Sequence, residues 1–404
     1  MMKHYIALAD CDCFFVSAER AFNPRLDGRA VAVLSNNDGC VISRSKEAKA
    51  LGLKMGEPYF MAKKRLPQVL YVRANHDLYR SVSAKVMAKF KSFTPDVEVC
   101  SVDEAYLDLT GTKLLYRQNY IKTAQIIRQA VWEELHIPVS IGLSTTKTLA
   151  KLASDKAKSM GGKAVPASSK ANGSEDKIKS TGGVFAIGSA ERNKILAQTL
   201  IADVSGVGRK LLLKMREECI FTALDFVMRP DYWVKARFGT HGADLKAELS
   251  GIPLFKVEPN GKAPLSIQQT SALREFSSDI AVLKTDLCRH IHTACRKARS
   301  EGAKAAAIEV MLRTKDFKVV TARAKLDFAS NQETEITPPA LRLLAQLFTP
   351  AVVWRSTGIT LTGLVYGERE QLDLFQPAKK SDDRLGNILD ELEKKFGKNI
   401  VHLG

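Results

Sequence analysis

The chain has 404 residues, with 61 Lys and Arg against 44 Asp and Glu and a formal charge of +17. An apolar content of 45% excludes a disordered chain. No run approaches the roughly 18 apolar residues of a membrane span, the N-terminus is not leader-like, and a cytoplasmic protein without a membrane partner is expected. Seven cysteines with no Cys-x-x-Cys pair exclude a disulfide framework and a zinc ribbon, and the basic excess points to a polyanion partner. Ten basic and three acidic residues between Arg289 and Lys325 spread over helix and strand, which favours nucleic acid over an anionic membrane.

In chain order, residues 5–9, 30–34, 97–109 and 139–143 read as strands, the third long enough for two joined by a turn. Between them Leu78, Val82, Val86, Phe90 and Phe93 recur at helical spacing, as do Ala124, Ile127, Val131 and Leu135. The order predicts an α/β (α+β) multidomain chain whose first part is a ferredoxin-like sheet with helices on one face and an insertion after the second strand. That insertion carries the turn signal Asn36-Asn37-Asp38-Gly39 and a basic helix around residues 45–51. A Gly/Ser/Lys-rich stretch over 158–183 reads as a linker. Then Gly206-Val207-Gly208-Arg209-Lys210 has the form of a helix-hairpin-helix turn, whose glycines let backbone N–H groups and a helix N-terminus approach a phosphate. A plain αα-hairpin is the alternative. After a second linker marked by Pro253, Pro259, Gly261 and Pro264, residues 266–366 alternate strands with two helices, and a polar tail follows Gly367.

Asp10 closes the first strand, and Asp103-Glu104 falls where a turn joins two apolar strands. Acids in such a setting cost several kcal/mol to desolvate unless a cation joins them. If the two strands are neighbours, three carboxylates converge on one edge, the hard oxygen set that suits Mg²⁺ with substrate phosphates. Two ions about 3.5–4 Å apart would clamp an in-line phosphoryl displacement. Turn or edge-strand roles for these acids remain the alternative. No P-loop is present, so Arg44, Lys46 and Lys49, with Lys163, are the candidate phosphate cations. Ser43-x-x-Lys46 lacks the companion motifs of acyl chemistry. Cys288, His292 and Cys295 share a helix face without a fourth ligand and read as buried fillers.

Four ordered motifs, Asp10-x-Asp12-x-Phe14-Phe15, Glu47-Ala48-Lys49-x-x-Gly52-x-Lys54-x-Gly56, Ser101-Val102-Asp103-Glu104-Ala105-Tyr106 and Gly142-x-Ser144-x-x-Lys147-x-x-Ala150-Lys151, resemble those of Y-family translesion DNA polymerases. Ser35-Asn36-Asn37-Asp38-Gly39-Cys40-Val41-Ile42 resembles their bacterial UmuC branch. The resemblance implies a palm over residues 1–35 and 75–165, fingers over 36–74, a helix-hairpin-helix thumb over 166–255, an α/β little finger over 266–368 and a tail over 369–404. It implies two Mg²⁺, with Mn²⁺ as a substitute, on Asp10, Asp103, Glu104 and the backbone carbonyl of Cys11. Phe15 matches a steric gate against a ribose 2′-OH, and Lys49 and Lys163 match triphosphate contacts, with Arg44 beside them. Lys49 stands where an Arg is common, and Lys46 where many members carry a Tyr. Gly206, Gly208, Arg209 and Lys210, with Arg296, Lys297, Arg313 and Arg323, are the expected contacts to primer-template DNA. Gln371-Leu372-Asp373-Leu374-Phe375 resembles a sliding-clamp motif, with Gln371, Leu372, Leu374 and Phe375 as its contacts.

The implied activity is error-prone nucleotidyl transfer from a dNTP to a primer 3′-OH in the bacterial DNA damage response. The implied partners are the clamp, a processed UmuD-like protein and a RecA filament, at the nucleoid in the cytoplasm. A catalytically inactive DNA-binding scaffold and a palm-type nucleotidyl cyclase are the rival readings.

Overall fold

The run Ile6-Ala7-Leu8-Ala9 is apolar on both sides and becomes a fully buried central strand, as expected of a segment covered on both faces. The computed structural model describes residues 4–35, 38–116, 118–159, 180–181, 183–259, 261, 263–367, 386, 388, 390–392 and 395. These fall into two compact units, residues 1–261 and 262–404.

The first unit runs β1 (Ile6–Cys11), α1 (Phe14–Phe22), β2 (Val31–Leu34), β3 (Val41–Arg44), α2 (Lys46–Ala50), α3 (Tyr59–Arg65), β4 (Leu70–Arg73), α4 (His76–Lys91), β5 (Val97–Val99), β6 (Glu104–Asp108), α5 (Thr112–Tyr116), α6 (Tyr120–Leu135) and β7 (Val139–Ser144). It continues through α7 (Lys147–Ser159), β8 (Ser180–Thr181), β9 (Val184–Ala186), α8 (Ser189–Ala197), α9 (Arg209–Glu217), α10 (Ala223–Val227) and α11 (Asp231–Leu249). The main sheet has the order β5-β6-β1-β7-β9-β8. Its first four strands, joined through α4 and α6, are the expected ferredoxin-like arrangement.

Two expectations need correction. The strand over Val31–Leu34 does not belong to this sheet: it is the middle of a separate three-stranded sheet, order β3-β2-β4, so the insertion begins ahead of it. Nor do helices cover only one face. Ala7, Ala9 and Cys11 point with Leu107 and Ile141 into a core filled by Val82, Val86 and Phe90 of α4 and Ile127 and Val131 of α6. Ile6 and Leu8 point the other way, against Ala150 of α7. Strand alternation therefore aims Asp10 at the α7 side.

Gly142 of β7 sets how close α7 can come. A Cβ there would stand 2.0 Å from the Ser154 amide nitrogen and 2.3 Å from the Ala150 carbonyl oxygen, so helix backbone rests directly on strand backbone. At the start of α7, the buried Glu248 carboxylate of α11 accepts the Thr148 amide at 3.1 Å and the Leu254 amide at 2.8 Å. A carboxylate at a helix N-terminus satisfies donors that have no intrahelical partner. The helix-hairpin-helix is shorter than expected: a one-turn 3₁₀ segment, Ile201–Asp203, precedes the Gly206-Val207-Gly208 turn. Gly206 needs its φ of +93°, and Gly208 is the N-cap of α9, which exposed Arg209 and Lys210 open.

The second unit comprises β10 (Ser266–Ser277), α12 (Ile280–Ser300), β11 (Ala303–Thr314), β12 (Val319–Ser330), α13 (Glu333–Leu347) and β13 (Trp354–Tyr366). Its antiparallel sheet has the order β10-β13-β11-β12, and Leu283, Leu287, Ile291 and Ala294 of α12 pack with Ile336, Ala340 and Leu344 of α13 on one face. No helix among the described residues is long and apolar enough to cross a membrane.

Candidate active site

β1 ends where the chain turns sharply into α1, with Cys13 at φ 49°, ψ 46°. A non-glycine residue in that left-handed region costs roughly 1–2 kcal/mol. The turn places the Asp10 carboxylate and the Phe15 ring at the same end of the sheet. Asp10 sits directly opposite Glu104 of β6 and Ser140 of β7 in the strand registers, and the Cys11 amide donates to the Asp103 carbonyl at 2.8 Å. The neighbouring strands required by the sequence reading are thus present.

The hairpin tip between β5 and β6 is organised by Ser101. Its hydroxyl accepts the Asp103 amide at 3.2 Å and the Glu104 amide at 3.1 Å, and donates to the Asp103 carboxylate. Asp103 is therefore held at the tip, while Asp10 and Glu104 are joined by cations from α7. Lys158 Nζ lies 2.5 Å from Asp10 Oδ2, and Lys151 Nζ lies 3.4 Å from the same oxygen and 2.5 Å from Glu104 Oε2. Asp10, Asp103 and Glu104 thus lie on neighbouring strands at one edge of the sheet, with Asp10 and Glu104 engaged by lysines. Among the described residues no three Asp, Glu, His or Cys side chains stand close enough to hold a metal ion.

The electrostatics follow from this packing. Burial alone would lower the Lys151 pKa, but the Glu104 hydrogen bond and the charges of Asp10 and Glu104 raise it above its ordinary value. Burial, then the charges of Asp10, Asp103 and Asp12, push the Cys11 thiol well up. Burial also raises the Asp12 carboxyl, against a hydrogen bond from Ser140 Oγ at 2.9 Å and the charges of Lys46 and Lys158. Asp12 forms part of a cleft of about 230 Å³ lined also by Cys13, Lys46, Arg128 and Trp132.

Phe15 is half-buried, stacked on Tyr79 of α4 and edge-on to His76. In the insertion, Ser45 caps α2 by accepting the Ala48 amide, and Arg44 donates to the Leu53 carbonyl, so its guanidinium supports the loop after α2. Lys46 and Lys49 are exposed. Lys163 and the segment 371–375 lie outside the described residues.

In the second unit Arg313 and Arg323 lie on the sheet face opposite the helices, Arg323 directly across from Glu309 and bonded to Thr362 Oγ1 at 2.9 Å. Arg296 and Lys297 are on α12, so no one face of the sheet carries all four. The filler reading of Cys288, His292 and Cys295 holds for Cys295 alone: Cys288 is exposed and His292 Nδ1 lies 2.9 Å from Glu333 Oε1.

Ser140, Tyr79 and Lys158 carry no site role in the sequence, and Ser101 and Lys151 enter only as members of the family motifs, without a stated role. Lys158 stands in the sequence only as a basic residue about four turns after β7, a spacing that fits any solvated helix.

The architecture is that of solved Y-family DNA polymerases. A chimera of the polymerases Dbh and Dpo4 superposes with a TM-score of 0.71 at 24% identity, covering 90% of this chain and all of that one. DinB from Sulfolobus solfataricus gives 0.55 at 23% identity with the same coverage. The impB/mucB/samB family pattern matches residues 9–155 and its C-terminal domain pattern matches 264–374. Protein UmuC of Salmonella typhimurium is 30% identical over 98% of this chain and 92% of its own length, and DNA polymerase IV of Oceanobacillus iheyensis is 29% identical over 99% and 91%. The chain belongs to the impB/mucB/samB family.

Proposed function

We propose that this protein is a template-directed DNA polymerase that performs translesion synthesis, adding dNTPs to a primer 3′-OH. The observation that carries the reading is the direct pairing of Asp10 with Glu104 at the open end of a ferredoxin-like sheet, with Asp103 one residue away. Relatives named UmuC and DNA polymerase IV span nearly the whole chain and support the same activity.

A divalent-metal site fits the donors. Asp10, Asp103 and Glu104 are hard oxygen ligands without a competing imidazole, and the buried Asp10 and partly exposed Glu104 already draw two ammonium groups as counter-charge. Asp10, Asp103, Glu104 and the Cys11 carbonyl would hold two Mg²⁺, or Mn²⁺ in their place. When bound, such ions acidify the attacking hydroxyl and offset charge on the leaving pyrophosphate. The chain's own residues do the positioning. Ser101 fixes the acidic tip, Phe15 walls the sugar against a 2′-OH, and Lys49, Lys163 and Arg44 serve the triphosphate side. Gly206, Gly208, Arg209 and Lys210 grip primer-template phosphates, with Arg313, Arg323, Arg296 and Lys297 of the little finger.

A fingers segment this small contacts the nascent pair loosely, so selection by shape is weak and lesions are tolerated. Residues 371–375 are assigned to a sliding clamp. A processed UmuD-like protein and a RecA filament are assigned as further partners, with the cytoplasm and nucleoid as the place of work.

Primer extension across an abasic template tests the reading. Wild type extends the primer, and Asp103→Ala stops extension while retaining DNA binding. Extension by Asp103→Ala overturns the site, template-independent cyclisation of a nucleotide favours the cyclase, and DNA binding without extension by wild type favours the scaffold. Addition of clamp, RecA filament and processed UmuD-like protein, singly and together, tests the partners.

A further inference from the structure

We propose that Lys158 is a displaceable counter-ion that holds Asp10 when no metal is bound and must release it for a divalent cation to enter, so that this lysine sets how much metal the resting site takes up. The inference rests on the assignment of Asp10 as a metal ligand. Asp10 Oδ2 is shared by two ammonium groups, Lys158 at 2.5 Å and Lys151 at 3.4 Å, and its side chain is only 7% exposed. With Glu104 bound to Lys151, two carboxylates and two lysines form a neutral quartet. The ammonium groups offset the cost of desolvating Asp10, the more buried of the two acids. A divalent ion needs the same oxygen at about 2.0–2.1 Å. Both lysines cannot keep their places beside it.

The geometry decides which one leaves. Lys151 lies in the middle of α7, bridges Asp10 and Glu104, and belongs to the stretch of helix pressed against β7 at Gly142. Lys158 lies in the last turn of α7, is 34% exposed and, among the described residues, is ion-paired with Asp10. Asp155, one turn before it, feels the charge of both lysines and offers Lys158 a place to withdraw. The flexible lysine stem and its strongly hydrated ammonium make that exchange inexpensive.

The test measures Mn²⁺ binding to the full chain without DNA or nucleotide, by the EPR signal of free Mn²⁺, with thermal melts of every variant alongside. Removing one charge at this range should tighten Mn²⁺ binding about tenfold in Lys158→Gln, with Lys158→Met as the second variant if Gln unfolds the chain. Lys156→Gln, an equal change of charge on the same helix, should leave affinity as in wild type. Asp10→Asn should weaken it at least tenfold. Unchanged affinity in a folded Lys158 variant, with binding lost in Asp10→Asn, overturns the counter-ion role and leaves the metal site standing. Equal tightening by Lys156→Gln also overturns it. Unchanged binding in Asp10→Asn removes the metal-site assignment itself.

Discussion

Phe15 lies flat against Tyr79, ring centroids 4.6 Å apart and planes 24° from parallel, and the Tyr79 hydroxyl is itself held by Glu19 Oε1 at 2.7 Å. The ring assigned as the sugar wall is therefore aimed from α4, by a tyrosine that is 1% exposed. Offset stacking of this kind is worth about 0.5–1.5 kcal/mol beyond area burial. Phe15→Ala should raise ribonucleotide over deoxyribonucleotide incorporation by roughly 10–200-fold, the range a single steric contact supplies. Tyr79→Leu keeps the wall but loosens it, and should give a smaller increase. Single-nucleotide kcat/KM ratios check both, and an unchanged dNTP preference in Phe15→Ala counts against the gate.

Ser101 offers a second test because one hydroxyl serves the Asp103 amide, the Glu104 amide and the Asp103 carboxylate. Ser101→Ala leaves two amides at the tip without their acceptor, a local cost of roughly 1–3 kcal/mol. Small misplacement of a reacting group can cost about 10²-fold in rate. The expected outcome is a fall in kcat for primer extension of up to roughly that factor, with primer-template affinity unchanged. Loss of DNA binding instead would assign Ser101 to the interface.

Much of this was legible in the sequence, because the signals were local or periodic. The apolar run before Asp10 marks β1, the helical spacing of Val82, Val86 and Phe90 marks α4, and Asp103-Glu104 inside an apolar stretch marks the β5–β6 tip. The features that stayed hidden depend on distant partners. Val31–Leu34 has a generic strand pattern, and only its pairing with Val41–Arg44 and Leu70–Arg73 takes it out of the palm sheet. Lys151 and Lys158 become site residues because Gly142 lets α7 rest on β7. Nothing in the helix's own periodicity shows that.

In the little finger, Asp286 ties α12 to β13: it accepts Thr357 Oγ1 at 2.7 Å, and His290 lies 3.2 Å away. Burial would raise its carboxyl, but the bonds from His290 and Thr357 and the nearby Arg289 charge hold it below the ordinary 3.8. A carboxyl depressed on folding stabilises the fold above its unfolded value and loses that contribution as pH falls through the folded one. Asp286→Asn should therefore melt earlier than wild type at pH 7, and the gap should narrow once pH falls below about 3.8. Melting curves at several pH values check this, and a gap independent of pH would show that charge is not what Asp286 contributes.

The basic strands give a test in solution. Arg323 and Lys325 share one face of β12, two residues apart, away from Ala322 and Ala324, which are partly buried against the core. Each phosphate contact contributes about 0.9 to the slope of log K against log salt. Changing both residues to Gln should flatten the slope for duplex binding by up to roughly 1.8 and leave the rate of the chemical step unchanged. A lower rate with an unchanged slope would place them elsewhere in the cycle.

Gly142 carries the sharpest structural test. It pairs with Leu8 in the sheet register, and a Cβ there would meet the Ser154 nitrogen at 2.0 Å, the Ala150 oxygen at 2.3 Å and the Ala153 carbonyl carbon at 2.6 Å. All three are backbone atoms, so no side chain can swing aside. The helix itself must retreat. Overpacking of this kind costs about 1–3 kcal/mol, and at roughly 2–4 °C per kcal/mol Gly142→Ala should lower Tm by several degrees. The retreat also draws Lys151 from Glu104 and Asp10. Primer extension should then fall further than the loss of folded protein explains, whereas Gly188→Ala, whose Cβ meets nothing within 4 Å, should change neither. A Gly142→Ala variant with wild-type Tm and activity would show that α7 does not depend on this contact for its seat on the sheet.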